Sequence, residues 1–167
     1  MAFFLSPLPV WIPPASAGVR DVPAGRWWDV AEAPSSVVWG AMARLAWRCG
    51  PVVEDQGAGV ARWFVAPGAA EAWALGAVRI LGHGHYVGVP PADWTREPVR
   101  WLLPPRGDCL TDAGALRDAL VADVVTVVTG REAPTAVPVA TCSYCRHRVE
   151  HRADHAPDCA WQPGRAR

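Results

Sequence analysis

The residues best suited to binding a metal lie near the C-terminus, where Cys142 and Cys145 are followed by His155 and Cys159. Their spacing is C-x2-C-x9-H-x3-C. The first pair places two thiolates on one tight loop, and the second places an imidazole and a thiolate one helical turn apart. Four such ligands complete the tetrahedron of a structural zinc site. A unit of roughly 20 residues cannot fold on its own apolar burial, so we expect zinc to stabilise it.

Other readings of these residues stay open. His151 could replace His155 as a ligand, and the cysteines could instead be free thiols on a disordered tail. A redox pair of Cys142 and Cys145 is disfavoured, because this C-x2-C does not lie between a strand and a helix. The chain has five cysteines. An odd, clustered set favours metal over a secreted disulfide framework, and Cys49 and Cys109 are interpreted as core or surface thiols.

The predicted zinc finger carries side chains that suit nucleic acid. The arginines would contact phosphates and the aromatic rings would stack on bases. The candidate nucleic-acid-binding residues are Arg146, Arg148, Arg152, Tyr144 and Trp161. Acidic neighbours offset part of the charge, so a solvated surface around a structural zinc, or a docking site for a protein, is the competing interpretation. The predicted partners are therefore DNA or RNA, or a protein bound through the finger.

A second set of candidate residues lies in the first hundred positions. Carboxylates combined with histidines suit phosphoryl or nucleotidyl transfer assisted by Mg²⁺ or Mn²⁺. The candidate catalytic residues are Asp29, Glu32, Asp55, His83 and His85. Nothing in their spacing requires them to converge, and each also has a structural interpretation in a turn or at a strand end. A polar loop with Asp93, Trp94 and Arg96 is a further position for contacting a ligand.

The pattern of apolar residues and turn signals predicts the elements that must position these side chains. We expect an α+β fold with a mainly antiparallel sheet, helices packed on one face, and a small C-terminal zinc-binding unit. The predicted helices cover about 35–49, 69–75 and 113–128. The predicted strands include 52–55, 60–66 and 99–103. Residues 78–81 and 85–89 are predicted to pair as a central hairpin around the turn Gly82-His83-Gly84-His85.

Composition shifts divide the chain into four parts. Residues 1–25 are predicted to be an extended arm packed through Phe3, Phe4 and Trp11. Residues 26–129 form the α+β domain, 130–140 a proline-containing linker, and 141–167 a CCHC zinc finger.

The charge and hydropathy of the chain argue against membrane association. The chain has 167 residues and a formal net charge of zero, so it has no overall attraction to an anionic surface. The apolar start at residues 1–5 lacks a basic flank and is too short to span a bilayer. We expect a cytoplasmic protein.

Several short motifs resemble the actinobacterial branch of the bifunctional primase/polymerase N-terminal domains. They are Trp28-Asp29-Val30, Gly50-Pro51-Val52-Val53, residues 62–68 and residues 78–91. The last of these contains the G-x-G-x-Y-V-x-V-P-P segment of that family. The resemblance covers about residues 27–120 and implies that fold, an ancestral link to nucleic acid, and catalysis by an acidic pair with a later histidine. The family's D-x-D is absent, because Asp29 is followed by Val30-Ala31.

Three functional hypotheses follow. The first is a non-catalytic, nucleic-acid-binding accessory protein with a degenerate primase/polymerase-like domain and a structural zinc finger. The second is an active, metal-dependent nucleotidyltransferase. The third is a protein-interaction module that docks partners through its finger.

Overall fold

A five-stranded antiparallel sheet forms the centre of the molecule, with strand order β5-β2-β4-β3-β7. The computed structural model describes residues 8–129, 140–141 and 148–149, and the side chains of residues 8–123. The five strands are β2 (Asp29–Pro34), β3 (Val52–Asp55), β4 (Val60–Val65), β5 (Arg79–Leu81) and β7 (Val99–Leu103). No helix in these described residues is both long and apolar enough to cross a membrane.

Two helices cover one face of this sheet and a second, two-stranded sheet lies against the other. The helices are α1 (Val38–Leu45) and α2 (Ala113–Thr129). The second sheet pairs β1 (Arg20–Pro23) with β6 (Tyr86–Val89) in antiparallel register. The fold is therefore α+β, with an antiparallel main sheet and its helices on one face, as the sequence predicts.

The main sheet has a hydrophobic core on each face, because the side chains of β4 alternate between the two faces. Trp63 and Val65 are fully buried against the helices, whereas Phe64 is buried on the opposite face with strands β1 and β6. Trp11 stacks on Phe64 with ring centroids 5.4 Å apart, so the N-terminal segment completes the second core. A period of two with both faces apolar requires cover on both sides, and the chain supplies it. Phe3 and Phe4 lie outside the described residues.

The predicted hairpin of residues 52–55 and 60–66 is confirmed, with Val52 paired to Trp63 and Asp55 to Val60. The predicted start of the second long helix is also confirmed. Asp112 caps α2, because its Oδ1 accepts the backbone N–H of Ala115 at 2.8 Å.

The first helix is shorter than predicted. Residues Ser35–Val37 form a 3₁₀ turn with no side-chain cap, so the α-helix begins at Val38 and not at residue 35. The helix ends at Leu45, since Ala46 adopts φ 49° and a second 3₁₀ turn, Ala46–Arg48, follows. The helix propensities of the residues after Leu45 do not predict that the helix ends so early. The early end accompanies the docking of Gly50, five residues after Leu45, against Thr111.

The predicted central hairpin is wrong. Strand β5 pairs with β2, whereas β6 pairs with β1 in the other sheet. The turn between them is present, with the N–H of His85 donating to the carbonyl of Gly82 at 3.1 Å. The chain changes sheet at this turn instead of folding back, because β1 within the proline-rich N-terminal segment supplies the partner of β6.

The predicted helix over 69–75 is also wrong. Residues 67–72 form consecutive turns, with the N–H of Trp73 bonded to the carbonyl of Ala70, three residues earlier. The segment is bounded by Pro67-Gly68 and Gly76, and a helix of this length is marginal without long-range support.

A last pair of short strands lies near the C-terminus. Strand β8 (Ala140–Thr141) is antiparallel to β9 (Arg148–Val149), with Thr141 opposite Arg148.

Candidate functional site

Asp29 lies at the start of β2 with 5% of its surface exposed. Its Oδ2 accepts the backbone N–H of Gly68 at 2.7 Å. Its Oδ1 is buried without a hydrogen-bond partner in the described part of the chain. This oxygen lies 3.4 Å from the position that a Cβ on Gly82 would occupy. The carboxylate is thus held between the turn after β4 and the end of β5.

Glu32 and Asp55 are brought together on one face of the main sheet by an arginine between them. The Nε of Arg62 donates to Glu32 Oε2 at 2.8 Å, and its Nη1 donates to Asp55 Oδ2 at 3.2 Å. Arg79 adds a longer contact of 3.4 Å to Glu32. Two adjacent carboxylates would repel each other, and the guanidinium offsets that repulsion. This cluster, Glu32–Arg62–Asp55, is called the arginine cluster below.

His83 and His85 both lie exposed on the turn between β5 and β6. Nδ1 of His85 is 3.2 Å from the carbonyl oxygen of Gly82, to which it donates in the matching tautomer. The backbone of His83 packs against Gly25, where a Cβ would come within 2.7 Å of the His83 Cα. The two residues belong to a turn and not to an extended strand.

The five candidate catalytic residues therefore form two separate groups. Asp29 lies beside the turn that carries His83 and His85, whereas Glu32 and Asp55 belong to the arginine cluster. Across residues 8–129 and the two short C-terminal strands, no three or more His, Cys, Asp or Glu side chains are arranged to hold a metal ion. Their catalytic role stays a prediction.

The sequence did not indicate two arginines that organise the acidic residues. Arg62 joins two of the candidates, and Arg100 donates from both Nε and Nη2 to Glu54 Oε2 at 3.0 and 2.8 Å. Glu54 lies opposite Arg100 in the pairing of β3 with β7 and is 8% exposed. The missing signal was strand register, which sets these pairs and is not local in the sequence.

A groove of about 540 Å³ lies between residues 15–18 and residues 93–96. The Nε1 of Trp94 donates to the carbonyl of Val99 at 3.0 Å, which fixes the indole. The guanidinium of Arg96 lies over this ring, 5.3 Å from the ring centroid. The polar loop singled out in the sequence therefore forms one wall of a concave surface.

The predicted zinc ligands Cys142, Cys145, His155 and Cys159 lie outside the described residues. So do Arg146, Arg152, Tyr144 and Trp161, and only the backbone of Arg148 is described. The structure does describe the pairing of β8 with β9, which precede and follow residues 142–147 in the sequence.

The other two cysteines match their predicted character. Cys109 is exposed and Cys49 is partly buried against the core. Burial raises the pKa of the Cys49 thiol to about 12 and outweighs the opposite effect of Trp63. Cys49 is thus a neutral thiol at physiological pH.

Comparison of the chain with known protein families, with curated proteins and with solved structures gives no match. The resemblance to primase/polymerase domains accordingly stays a prediction.

Proposed function

We propose that this chain is a non-catalytic, nucleic-acid-binding accessory protein whose α+β domain carries a structural zinc finger in residues 141–167. The observation that carries the proposal is the pairing of β8 with β9. It joins Thr141, directly before Cys142, to Arg148. The C-x2-C motif thereby falls within the connection of an antiparallel pair.

This pair needs a further source of stability. It consists of two residue pairs, Ala140 with Val149 and Thr141 with Arg148. An isolated two-stranded hairpin is at best marginally stable in water, even when it is longer. A zinc ion held by Cys142, Cys145, His155 and Cys159 would supply that stability. In units of this size zinc binding is coupled to folding, so the free energy of binding stabilises the folded state.

The same unit has the chemistry to contact nucleic acid. Arg148 lies on β9, and Arg146 and Arg152 are close to it in sequence. Arginine binds phosphate in a bidentate manner. Tyr144 and Trp161 offer rings on which bases can stack. These residues would give an affinity for nucleic acid that depends on the salt concentration and only slightly on the base sequence.

The contacts of the acidic residues support an accessory role over a catalytic one. Glu32 and Asp55 are both bonded to Arg62, and Asp29 accepts the Gly68 N–H. Each of these carboxylates therefore has a structural task in the folded sheet. Zinc is the cofactor of this proposal, whereas Mg²⁺ or Mn²⁺ belongs to the nucleotidyltransferase alternative.

Metal analysis and fluorescence anisotropy test the proposal together. The purified chain is expected to contain one zinc, and to bind labelled single-stranded or duplex oligonucleotides at about 50 mM salt more tightly than at about 200 mM. Cys142→Ser is expected to lose both the zinc and the binding. Cys109→Ser is the matched control, because Cys109 is an exposed thiol outside the finger, and it should retain both.

Three results would contradict the proposal. Absence of binding to any nucleic acid at low salt would remove the nucleic-acid function. Incorporation of deoxynucleotides on primed or unprimed templates with Mn²⁺ would show that the domain is catalytic. A protein partner that is lost when residues 141–167 are deleted, in the absence of nucleic-acid binding, would favour the interaction module.

A further inference from the structure

We propose that the groove between residues 15–18 and residues 93–96, called the Trp94 groove below, binds one nucleotide unit of a single-stranded nucleic acid. The inference rests on the proposed function and adds a second contact surface, on the α+β domain. It follows from a cation held on an aromatic ring, a carboxylate in the same lining, and a concave space of suitable size.

The cation of the groove is held in place and has free donors. Trp94 is fixed by its bond to the carbonyl of Val99, and the guanidinium of Arg96 lies over the ring. Within residues 8–129 the Arg96 guanidinium makes no salt bridge or hydrogen bond, so its N–H groups remain available. A planar guanidinium presents two parallel donors, and a phosphate is a ligand of matching geometry.

The groove also contains an acceptor, which a simple anion site would lack. Asp93 lines the same space as Arg96 and is exposed. In the part of the chain that the structure describes, no donor is bonded to its carboxylate. Ser16 and Thr95 add hydroxyl groups to the lining. A carboxylate near a bound phosphate is favourable only if it accepts hydrogen bonds from the ligand, and the amino groups of bases and sugar hydroxyls are such donors.

The size and shape of the space fit one nucleotide. Ligand sites commonly have volumes of about 300–1,000 Å³, and the groove has about 540 Å³. Gly18 borders it with φ 66° and ψ −167°, a conformation that is nearly restricted to glycine. A Cβ at this position would lie 3.9 Å from Cη2 of Trp94. Any longer side chain would narrow the groove, so glycine keeps it open.

Titration by NMR tests the groove in the zinc-loaded full chain. Each of the ten tryptophans has one indole N–H group, and Trp94→Phe identifies the signal of Trp94 by its loss. The four deoxynucleoside monophosphates are the probes, and inorganic phosphate is the control anion. We expect the monophosphates to shift the Trp94 signal more than inorganic phosphate does. Arg96→Ala should abolish the shift.

Oligonucleotide affinity gives a second readout. Arg96→Ala is expected to weaken binding of a single-stranded oligonucleotide about tenfold, the effect of losing one charge-assisted hydrogen bond. Arg117→Ala is the matched control, because Arg117 is exposed on α2 away from the groove, and it should have no comparable effect. Asp93→Asn should also weaken binding. Tighter binding by Asp93→Asn would overturn the proposal, since it would show that the carboxylate only repels the ligand.

The failure of the groove and the failure of the proposed function give different results. If Cys142→Ser abolishes oligonucleotide binding while Arg96→Ala has no effect and the monophosphates leave Trp94 unshifted, the groove proposal is wrong and the accessory function stands. If no oligonucleotide binds, yet monophosphates shift Trp94 through Arg96, the accessory function is wrong and the groove remains a nucleotide site. Equal shifts with inorganic phosphate would reduce it to an anion site and overturn the inference.

Discussion

The backbone N–H of Gly68 donates to Asp29 Oδ2 at 2.7 Å across 39 residues of sequence. Asp29 is paired with Val65 at the end of β4, so the bond ties the following turn back onto the neighbouring strand. One of the carboxylates that the sequence offers for catalysis thus closes a turn of the central sheet.

Replacement of Asp29 tests its structural role at this turn. Asp29→Ala is expected to lower the free energy of unfolding by about 1–3 kcal/mol, because the Gly68 N–H loses its charged acceptor in a part-buried hydrogen bond. Asp29→Asn keeps an acceptor near the Oδ2 position and should cost less. Urea unfolding monitored by circular dichroism measures both. Wild-type stability of Asp29→Ala would show that the Gly68 bond contributes nothing.

The arginine cluster gives a second prediction. Arg62→Met is expected to cost about 3 kcal/mol, because it leaves the mostly buried Asp55 without its cation and leaves Glu32 with only the exposed Arg79. Arg62, Glu32 and Asp55 have side chains that are 14%, 11% and 19% exposed. Arg79→Met is the control, since Arg79 contacts the same Glu32 with a side chain that is 71% exposed. It should cost less than about 1 kcal/mol, and equal costs in thermal or urea unfolding would contradict the assignment.

Gly50 gives a third prediction. A Cβ on Gly50 would lie 2.5 Å from the backbone of Leu110 and Thr111, and its N–H donates to Thr111 Oγ1 at 3.0 Å. Gly50→Ala must therefore move backbone, at a cost of about 1–3 kcal/mol. Gly76→Ala is the control, because no described atom lies within 4 Å of its Cβ position. A melting temperature of Gly50→Ala no lower than that of Gly76→Ala would refute the close approach.

Cys49 gives a fourth prediction, based on its pKa of about 12. The thiolate is the reactive form, so Cys49 should resist iodoacetamide at pH about 8.5, where an unperturbed cysteine is half ionised. The exposed Cys109 should be alkylated first, and urea should expose Cys49. Mass spectrometry of digested, zinc-loaded protein measures both sites, and equal rates in the folded state would count against burial of the thiol.

The raised pKa of Cys49 also gives the sign of a pH dependence. The unfolded chain releases this proton near pH 8.5, whereas the folded chain retains it up to about pH 12. The stabilising contribution of the buried, neutral Cys49 thiol is therefore complete below about pH 8.5 and is lost as the pH rises towards about 12.

The elements that depend on local signals were predictable from the sequence. The hairpin of β3 with β4 follows from alternating apolar residues around a glycine-rich turn. The start of α2 depends on Asp112, whose side chain accepts the N–H of Ala115, three residues later in the sequence. In both cases the interacting residues are close in sequence, so pattern and propensity contain the information.

The misplaced elements depend on distant partners. Strand β6 pairs with β1 across more than sixty residues, and no local feature of residues 85–89 indicates which strand that is. The end of α1 at Leu45 accompanies a contact between Gly50 and Thr111. These outcomes are set by tertiary packing, which overrides propensity.

The candidate site shows the same division. The sequence was sufficient to identify Asp29, Glu32 and Asp55 as candidate residues and to identify the polar loop at Asp93–Arg96. The arginine that joins Glu32 to Asp55 was not, because it requires the register of three strands at once. The groove required residues 15–18, which are far from the loop in sequence and carry no motif.

The strand order described above leaves β5 and β7 at the edges of the main sheet, and both strands of the smaller sheet are edges as well. Such edges expose backbone groups that could pair with another chain. Here β5 is only three residues long and carries the exposed Arg79, β7 lies between Pro98 and Pro104, and Pro23 ends β1. Proline and charge at strand ends oppose strand addition, so these features disfavour edge-to-edge aggregation at β1, β5 and β7.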